Sequence, residues 1–272
     1  MHRLCLEALG IAPDLELATP LTFASAELVR QRAPKVVTAA ETLDVATQVP
    51  IPGGLFDTHV FGPGTVIDAP TLVDDDPVKP RSQFARIALG MPIVQPLVFE
   101  HVPHAIVERA ASGPLECAAL LDDAEAYWNV IGALELGGHG ALVMRELAVL
   151  PPDLRPLRRL DDHRVATSSL NELYRRVVEL NVRLARVVES NAPSAILASQ
   201  RRELHEALQP LFAELRAACG GASGLAAALH ELDRQPVGAE LTGKLYRADS
   251  VLFALGITRE SDLNAGLREA AA

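Results

Sequence analysis

The chain has 272 residues, 49% hydrophobic and 22% charged, with aromatics at only 4%, so its core must be built from Leu, Val, Ile and Ala, a bias that favours helices. A formal net charge of −10 repels phosphate backbones on average, which makes the chain a poor nucleic-acid binder. No apolar run reaches about eighteen residues and no basic-then-apolar leader opens the chain, so neither a membrane span nor a secretory signal is expected.

Cys5, Cys117 and Cys219 are too widely spaced to form a metal-ligand pair and too few for a disulfide framework, which fits a reducing, cytoplasmic setting. The charge is uneven. Between Arg155 and Arg186 eight arginines face four acids, a local +4 that suggests a protein partner with an acidic surface or a solvated helix face.

In chain order, a short helix is expected from Ser25 to Arg32, ended by Pro34. From Val49 to Pro80 the proline- and glycine-rich pattern reads as loop and short strand. Short strands are expected between Gln83 and Val98, around Pro92 and Pro96. From Pro103 to Leu147 the pattern reads as helix, broken by a turn at Gly137-Gly138-His139-Gly140. Pro151-Pro152 marks a boundary, so the expected division is 1–150, 151–218 and 219–272.

The strongest pattern lies between 167 and 215. Ser169 and Glu172 have capping-box spacing. Leu170, Leu173, Val177, Leu180, Leu184 and Val187 then repeat at 3-4 intervals along one seam. Asn191-Ala192-Pro193 breaks the helix, and Leu197, Leu204, Leu208, Leu211 and Leu215 form a second seam. Two seamed helices joined by a short turn predict an antiparallel hairpin. Pro210 is expected to kink or end the second helix near Glu206. Ser223 is expected to cap a helix to Leu232, and Thr258 or Ser261 to open a last one.

Several stretches resemble the N-terminal clamp region of the bacterial RNA polymerase β′ subunit. These are Gly53-Gly54-Leu55-Phe56-Asp57, Val60-Phe61-Gly62-Pro63, and Arg86-Ile87-Ala88-Leu89 with Pro92. The most specific are Val149-Leu150-Pro151-Pro152-Asp153-Leu154-Arg155-Pro156 and the run from Arg164 to Val177. The resemblance implies a mainly α fold with a small β- and loop-rich part. It implies a clamp-base-like region over 1–150, a protruding two-helix coiled coil over 151–218, and a helical tail over 219–272 packing on the base. In that family the hairpin docks region 2 of a σ factor. The positions that correspond to, or lie beside, that face are Arg176, Leu180, Asn181, Arg183, Arg186, Gln200, Arg201 and Arg202. Leu180 stands where the family has an arginine and Gln200 where it has a glutamate.

The family's catalytic Asn-Ala-Asp-Phe-Asp-Gly-Asp loop does not occur here. Asp74-Asp75-Asp76 lacks its spacing and reads as a solvated loop. The stretch from Pro63 to Arg81, where the family carries its zinc ribbon, holds no cysteine, so no metal and no cofactor are expected. His101 and His104, with Pro103 between them, do not suggest a ligand pair. The expected function is a non-catalytic, clamp-like transcription protein that binds a σ factor or a polymerase component as regulator or decoy, without a membrane. The alternatives are a piece of a split polymerase and a repurposed interaction scaffold.

Overall fold

The computed structural model describes residues 1–44, 47–63, 72–101, 117–160, 164–236 and 239–262. The N-terminal helix α1 (His2–Leu9) buries Cys5, Leu6, Ala8 and Leu9, and stops at Gly10, whose φ of 74° suits a residue without a Cβ. Strand β1 (Leu21–Phe23) follows. Helix α2 (Ala26–Arg32) begins where expected, because the Ser25 hydroxyl accepts a hydrogen bond from the Leu28 N–H at 3.2 Å. The turn-rich stretch after it contains the single-turn helix α3 (Thr58–Phe61), capped by Asp57.

A three-stranded sheet follows, with β2 (Lys35–Val36) parallel to β3 (Ala85–Val94) and β3 antiparallel to β4 (Val143–Val149). Where short strands were expected around Pro92, the chain forms one ten-residue strand whose register shifts between Ala88 and Ile93. Proline has no N–H for the ladder, so the pairing breaks at Pro92 and resumes beyond it. The helical reading of 103–147 holds only in part. Residues 102–116 lie outside the described residues. Cys117–Leu120 (α4) and Ala124–Leu136 (α5) are helical, with the Asp123 carboxylate accepting from the Ala126 N–H at 2.9 Å. The glycine-rich turn then ends α5, and Val143–Val149 is a strand with Arg145 as its one exposed residue. Its β-branched ends and its pairing with β3 override the helix-like spacing.

After β4 come the short strands β5 (Arg158–Arg159) and β6 (Val165–Ala166), then the long helices α6 (Ser169–Glu189) and α7 (Ser194–Ala217). Ser168, not Ser169, occupies the cap of α6, and its hydroxyl makes no capping bond, so the expected capping box is absent. Ser169 instead donates to Glu214 across the hairpin. Arg183 and Glu203 form an ion pair at 3.6 Å. These two pairs, early with late and late with early, establish that the helices run antiparallel. Helix α7 continues through Pro210, which is exposed, so the helix does not end there.

The tail closes back on the body. Helix α8 (Gly221–Leu232) starts two residues before Ser223, at Gly220 with φ 78°. Helix α9 (Gly243–Ala254) is approached so closely by the Val73 carbonyl that a Cβ on Gly243 would lie 2.1 Å from it. Its first amides, of Gly243 and Lys244, donate to the Asp76 and Asp74 carbonyls, so the acidic loop caps a helix through its backbone while its side chains stay exposed. Thr258 lies in strand β7 (Ile257–Arg259), which pairs antiparallel with β1, rather than opening a helix. Residues 260–262 are helical, at the helix start expected near Ser261, and residues 263–272 lie outside the described residues. One hydrophobic cluster runs from Cys5 to Ile257 and takes side chains from all three sequence segments.

At its centre sits Arg155, fully buried. Its guanidinium donates to the Leu150 carbonyl at 2.8 Å, the Asn171 side-chain oxygen at 2.9 Å and the Leu55 carbonyl at 2.6 Å. Phe56 and Phe61 offer ring faces, each with its centroid 4.8 Å away. Burial lowers its pKa to about 9, with Tyr174 opposing, so the group remains charged at neutral pH. Arg155→Ala should therefore lower stability by at least about 3 kcal/mol, because it opens a cavity and orphans two carbonyls. A urea denaturation midpoint equal to that of the unmodified protein would overturn this account.

Candidate functional site

Helix α6 is apolar on two adjacent stripes, and this decides which of its residues can meet a partner. The 3-4 seam buries Leu170, Val177, Leu180 and Leu184, and pairs with Leu204, Leu208, Leu211 and Leu215 on α7. A second stripe, Tyr174, Val178, Asn181 and Ala185, lies beside it at 4-3-4 spacing and faces β3. Tyr174 accepts from the Leu150 N–H at 3.3 Å. The Asn181 side chain accepts from the Gly90 N–H at 2.8 Å and donates to the Ala88 carbonyl at 2.8 Å. It thereby satisfies backbone groups of β3 where the register shifts. A Cβ on Gly90 would lie 3.0 Å from the backbone of Ala185, so the strand and helix are in close contact there.

Most of the hairpin's length is thus embedded. The expected protrusion is confined to the turn and its flanks, where Val188 through Asn191 and Pro193 through Ile196 are exposed apart from Ala192. Of the eight positions expected to meet a partner, three are interior. Leu180 is in the core, Asn181 is committed to β3, and Arg201 is buried with its guanidinium 3.8 Å from the Tyr127 ring centroid. Arg176, Arg183 and Arg186 are exposed and share one face of α6. Gln200 is half-buried and donates to Glu203 at 3.0 Å, and Arg202 pairs with Asp122. Arg186 has no acidic partner among the described residues. The remaining arginines of the basic stretch are not one surface, since Arg155 is internal and Arg175 is held by Glu172 and Glu179.

Other charges are structural. Glu146, nearly buried, accepts from Arg30 at 2.7 Å and Arg86 at 3.1 Å. Burial alone would raise the Asp57 pKa, but N–H donors from Gly53 and His59 outweigh it and hold the carboxyl below its usual range. Burial pushes the thiol of Cys5 to about 12 and that of Cys219 to about 11, which leaves both unreactive at neutral pH. Among the described residues no group of three His, Cys, Asp or Glu is arranged to hold a metal. No described helix is long and apolar enough to cross a membrane. The side chains of His101 and Cys117, residue His104, and 64–71 within the stretch matching the zinc-ribbon position lie outside the described residues.

The signal for the embedded face was present in the sequence. Tyr174, Val178, Asn181 and Ala185 form a row that a free two-helix coil would not need, but the seam leucines beside it mask the row. On α7 the row Ala198, Arg201, His205 and Phe212 likewise faces inward, and its charged and polar members read as a surface.

Comparison with known proteins places these elements. Residues 139–218 match the family described as RNA polymerase Rpb1, domain 1. The chain is 47% identical over 86 residues to the DNA-directed RNA polymerase subunit beta' of Streptococcus mutans, which covers 31% of this chain and 7% of that protein. It is 52% identical over 71 residues to the corresponding subunit of Rickettsia bellii, covering 26% and 5%. With the Lactococcus lactis subunit it shares 46% over 86 residues, again 31% and 7%. The chain therefore aligns with a small fraction of these relatives, and the likeness is to an N-terminal part of β′ that includes β4 and both long helices.

Within the matched segment, His205 gives the structure a specific response to acid. Its ring packs on Phe99 with centroids 4.6 Å apart, and its Nε2 has no hydrogen-bond partner. Burial, and then the positive charge of Arg201, lower its pKa from 6.5 to about 4. The unfolded chain takes up this proton first, so the contribution is complete above pH 6.5 and lost progressively from there down to about pH 4. In His205→Leu, which keeps the apolar contact, stability should fall less steeply across that window. Identical slopes in pH-dependent urea titrations would overturn the assignment.

Proposed function

We propose that this chain, RNA polymerase β′-like over residues 139–218, acts in transcription as a clamp-like binding protein with no catalytic step of its own. Its partner is a σ factor, through region 2, or another polymerase component. The observation that carries this reading is the hairpin, which lies inside the segment matching the RNA polymerase Rpb1 domain 1 family, with Arg176, Arg183 and Arg186 exposed along one face of α6. A row of guanidinium groups on a rigid helix recognises carboxylates on a partner helix by charge-assisted hydrogen bonds.

The face is narrower than the full set of eight positions. Leu180, where the resembling family has an arginine, is part of the core, so its role is to hold α6 in the body. Arg183 is shared with Glu203, and a partner carboxylate would compete for it. Arg186 is the group most available to an incoming acid. Because much of α6 is embedded, the surface offered is the outer edge of the hairpin and its turn, with Val188 and Ile196 as exposed apolar residues beside the charges. The buried backing of α6 keeps this edge rigid, which lowers the ordering cost of binding. The excess of acids elsewhere repels DNA and leaves a protein surface as the better complement.

Titrating the full chain with isolated σ region 2 tests this. We expect binding in the micromolar range that weakens at least about tenfold in Arg183→Ala/Arg186→Ala and falls with added salt. Both residues are exposed, so the variant should unfold at the same temperature as the parent. A folded protein with no measurable binding would sink the σ reading.

A further inference from the structure

The side of the hairpin turned to solvent is divided by charge between its two helices. Counting about 100° per residue, Arg176 and Arg183 lie nearly opposite the row of α6 that faces β3. Glu203 likewise lies nearly opposite the inward row of α7. These residues therefore share one side of the hairpin, and the Arg183–Glu203 pair at 3.6 Å spans the seam there. Arg186 and Glu206 are exposed on the two outer flanks, away from the seam. Gln200 and Ala207, half-buried, lie between Glu203 and the seam, where the small side chain at 207 leaves room for a close approach.

Neither half cancels its own charge. On α6, Glu172 and Glu179 are held by Arg175, with Arg176 4.0 Å from Glu179. Glu189 lies in line with the row that faces β3, away from α7. On α7, Arg202 is tied to Asp122 of the α4–α5 connection and does not offset the glutamates. Among the described residues Glu206 has no hydrogen-bond or ion-pair partner, and Arg186 has no acidic one. The α6 half is therefore basic and the α7 half acidic. Arg183 and Glu203 are level, so Arg186 lies nearer the turn and Glu206 nearer the body, about 9 Å apart along the hairpin axis.

We infer that one helix of a protein partner lies along this side, with acidic residues on its flank toward α6 and basic residues on its flank toward α7. The acidic position sits nearer the turn and the basic one nearer the body, which fixes the direction of that helix as well as its roll. The inference rests on the hairpin being the partner-binding surface, and it adds that recognition is dipolar instead of a simple attraction of acid to a basic edge. A uniformly acidic or uniformly basic partner meets like charge on one of the two helices and is disfavoured. A nucleic-acid backbone is disfavoured for the same reason.

Glu206→Lys separates the two forms of recognition, because they give opposite signs. The full chain and its variants are titrated with isolated σ region 2 at low salt. A partner attracted only to the arginines would bind Glu206→Lys more tightly, since the change removes an acid and adds a base. A partner with a basic flank binds it less tightly, and we expect a weakening of at least about threefold that fades as salt is raised. Glu16→Lys makes the same charge change on the exposed loop after α1, where it should not weaken binding. Glu206 is an exposed position inside a helix, which lysine suits, so the variant should unfold at the same temperature as the parent. Equal or tighter binding by Glu206→Lys overturns the dipolar face and leaves the σ reading standing. Equal weakening by Glu16→Lys overturns it too, since the effect would then be general. A parent chain that binds no σ region 2 overturns both.

Discussion

The guanidinium of Arg155 carries a full positive charge into a fully buried site, and among the described residues no carboxylate pairs with it. What replaces the carboxylate is a set of fixed dipoles and ring faces: two carbonyls, one side-chain amide oxygen and the rings of Phe56, Phe61 and Tyr174. Each acceptor comes from a different stretch of chain. Leu55 belongs to the glycine-rich loop near the start, Leu150 to the end of β4, and Asn171 to the first turn of α6. A buried charge tolerates little displacement of its partners, so these three stretches must meet in one arrangement. Asn171 extends the network by donating to the Arg155 carbonyl and the Thr167 hydroxyl, and Asp153 accepts from the backbone of Arg81 and Ser82. The motifs that carry the β′ resemblance are, in large part, the residues that build and enclose this one site.

The same constraint accounts for the posture of the hairpin. With its first turn anchored by Asn171, α6 leaves the body along β3. It buries Tyr174, Val178 and Asn181 against the strand while Val177, Leu180 and Leu184 meet α7. Asn181 then resolves a difficulty that β3 creates for itself: the register break at Pro92 leaves backbone groups near Gly90 without ladder partners, and the asparagine supplies both a donor and an acceptor. Arginine 201 and His205 are positioned by the corresponding inward row of α7. Most polar residues inside this domain are received by backbone or aromatic groups, while Arg201 and His205 each keep ring or guanidinium nitrogens without a hydrogen-bond partner.

Surface charge follows a separate logic. The chain is strongly acidic, yet Arg176, Arg183 and Arg186 lie exposed along one edge of α6, so that edge and the acidic surface should attract different surfaces of a partner. Electrostatics of this kind sets orientation and association rate more than affinity. The exposed apolar residues at the hairpin turn, Val188 and Ile196, would supply contact area that charge alone does not.

The long helices, their seams, the break at Asn191 and the cap at Ser25 were legible from local sequence, because helix periodicity, capping chemistry and proline act within a few residues of one another. The β′ resemblance was legible for the same reason, as ordered motifs in a row. Strand β4, the pairing of β1 with β7 and the embedding of α6 were not, because each depends on a partner far away in the chain. Val143–Val149 is a strand because β3 lies beside it, and Thr258 is in a strand because Leu21–Phe23 returns to meet it. The expected partner face divides along the same line. Arg176, Arg183 and Arg186 are exposed as their polar face predicts, while Asn181 and Arg201 are polar residues whose burial only their tertiary neighbours determine. Local sequence sets which conformation a segment prefers and which of its faces is apolar. Only the folded chain decides what covers each face, since burial is a property of pairs of distant surfaces.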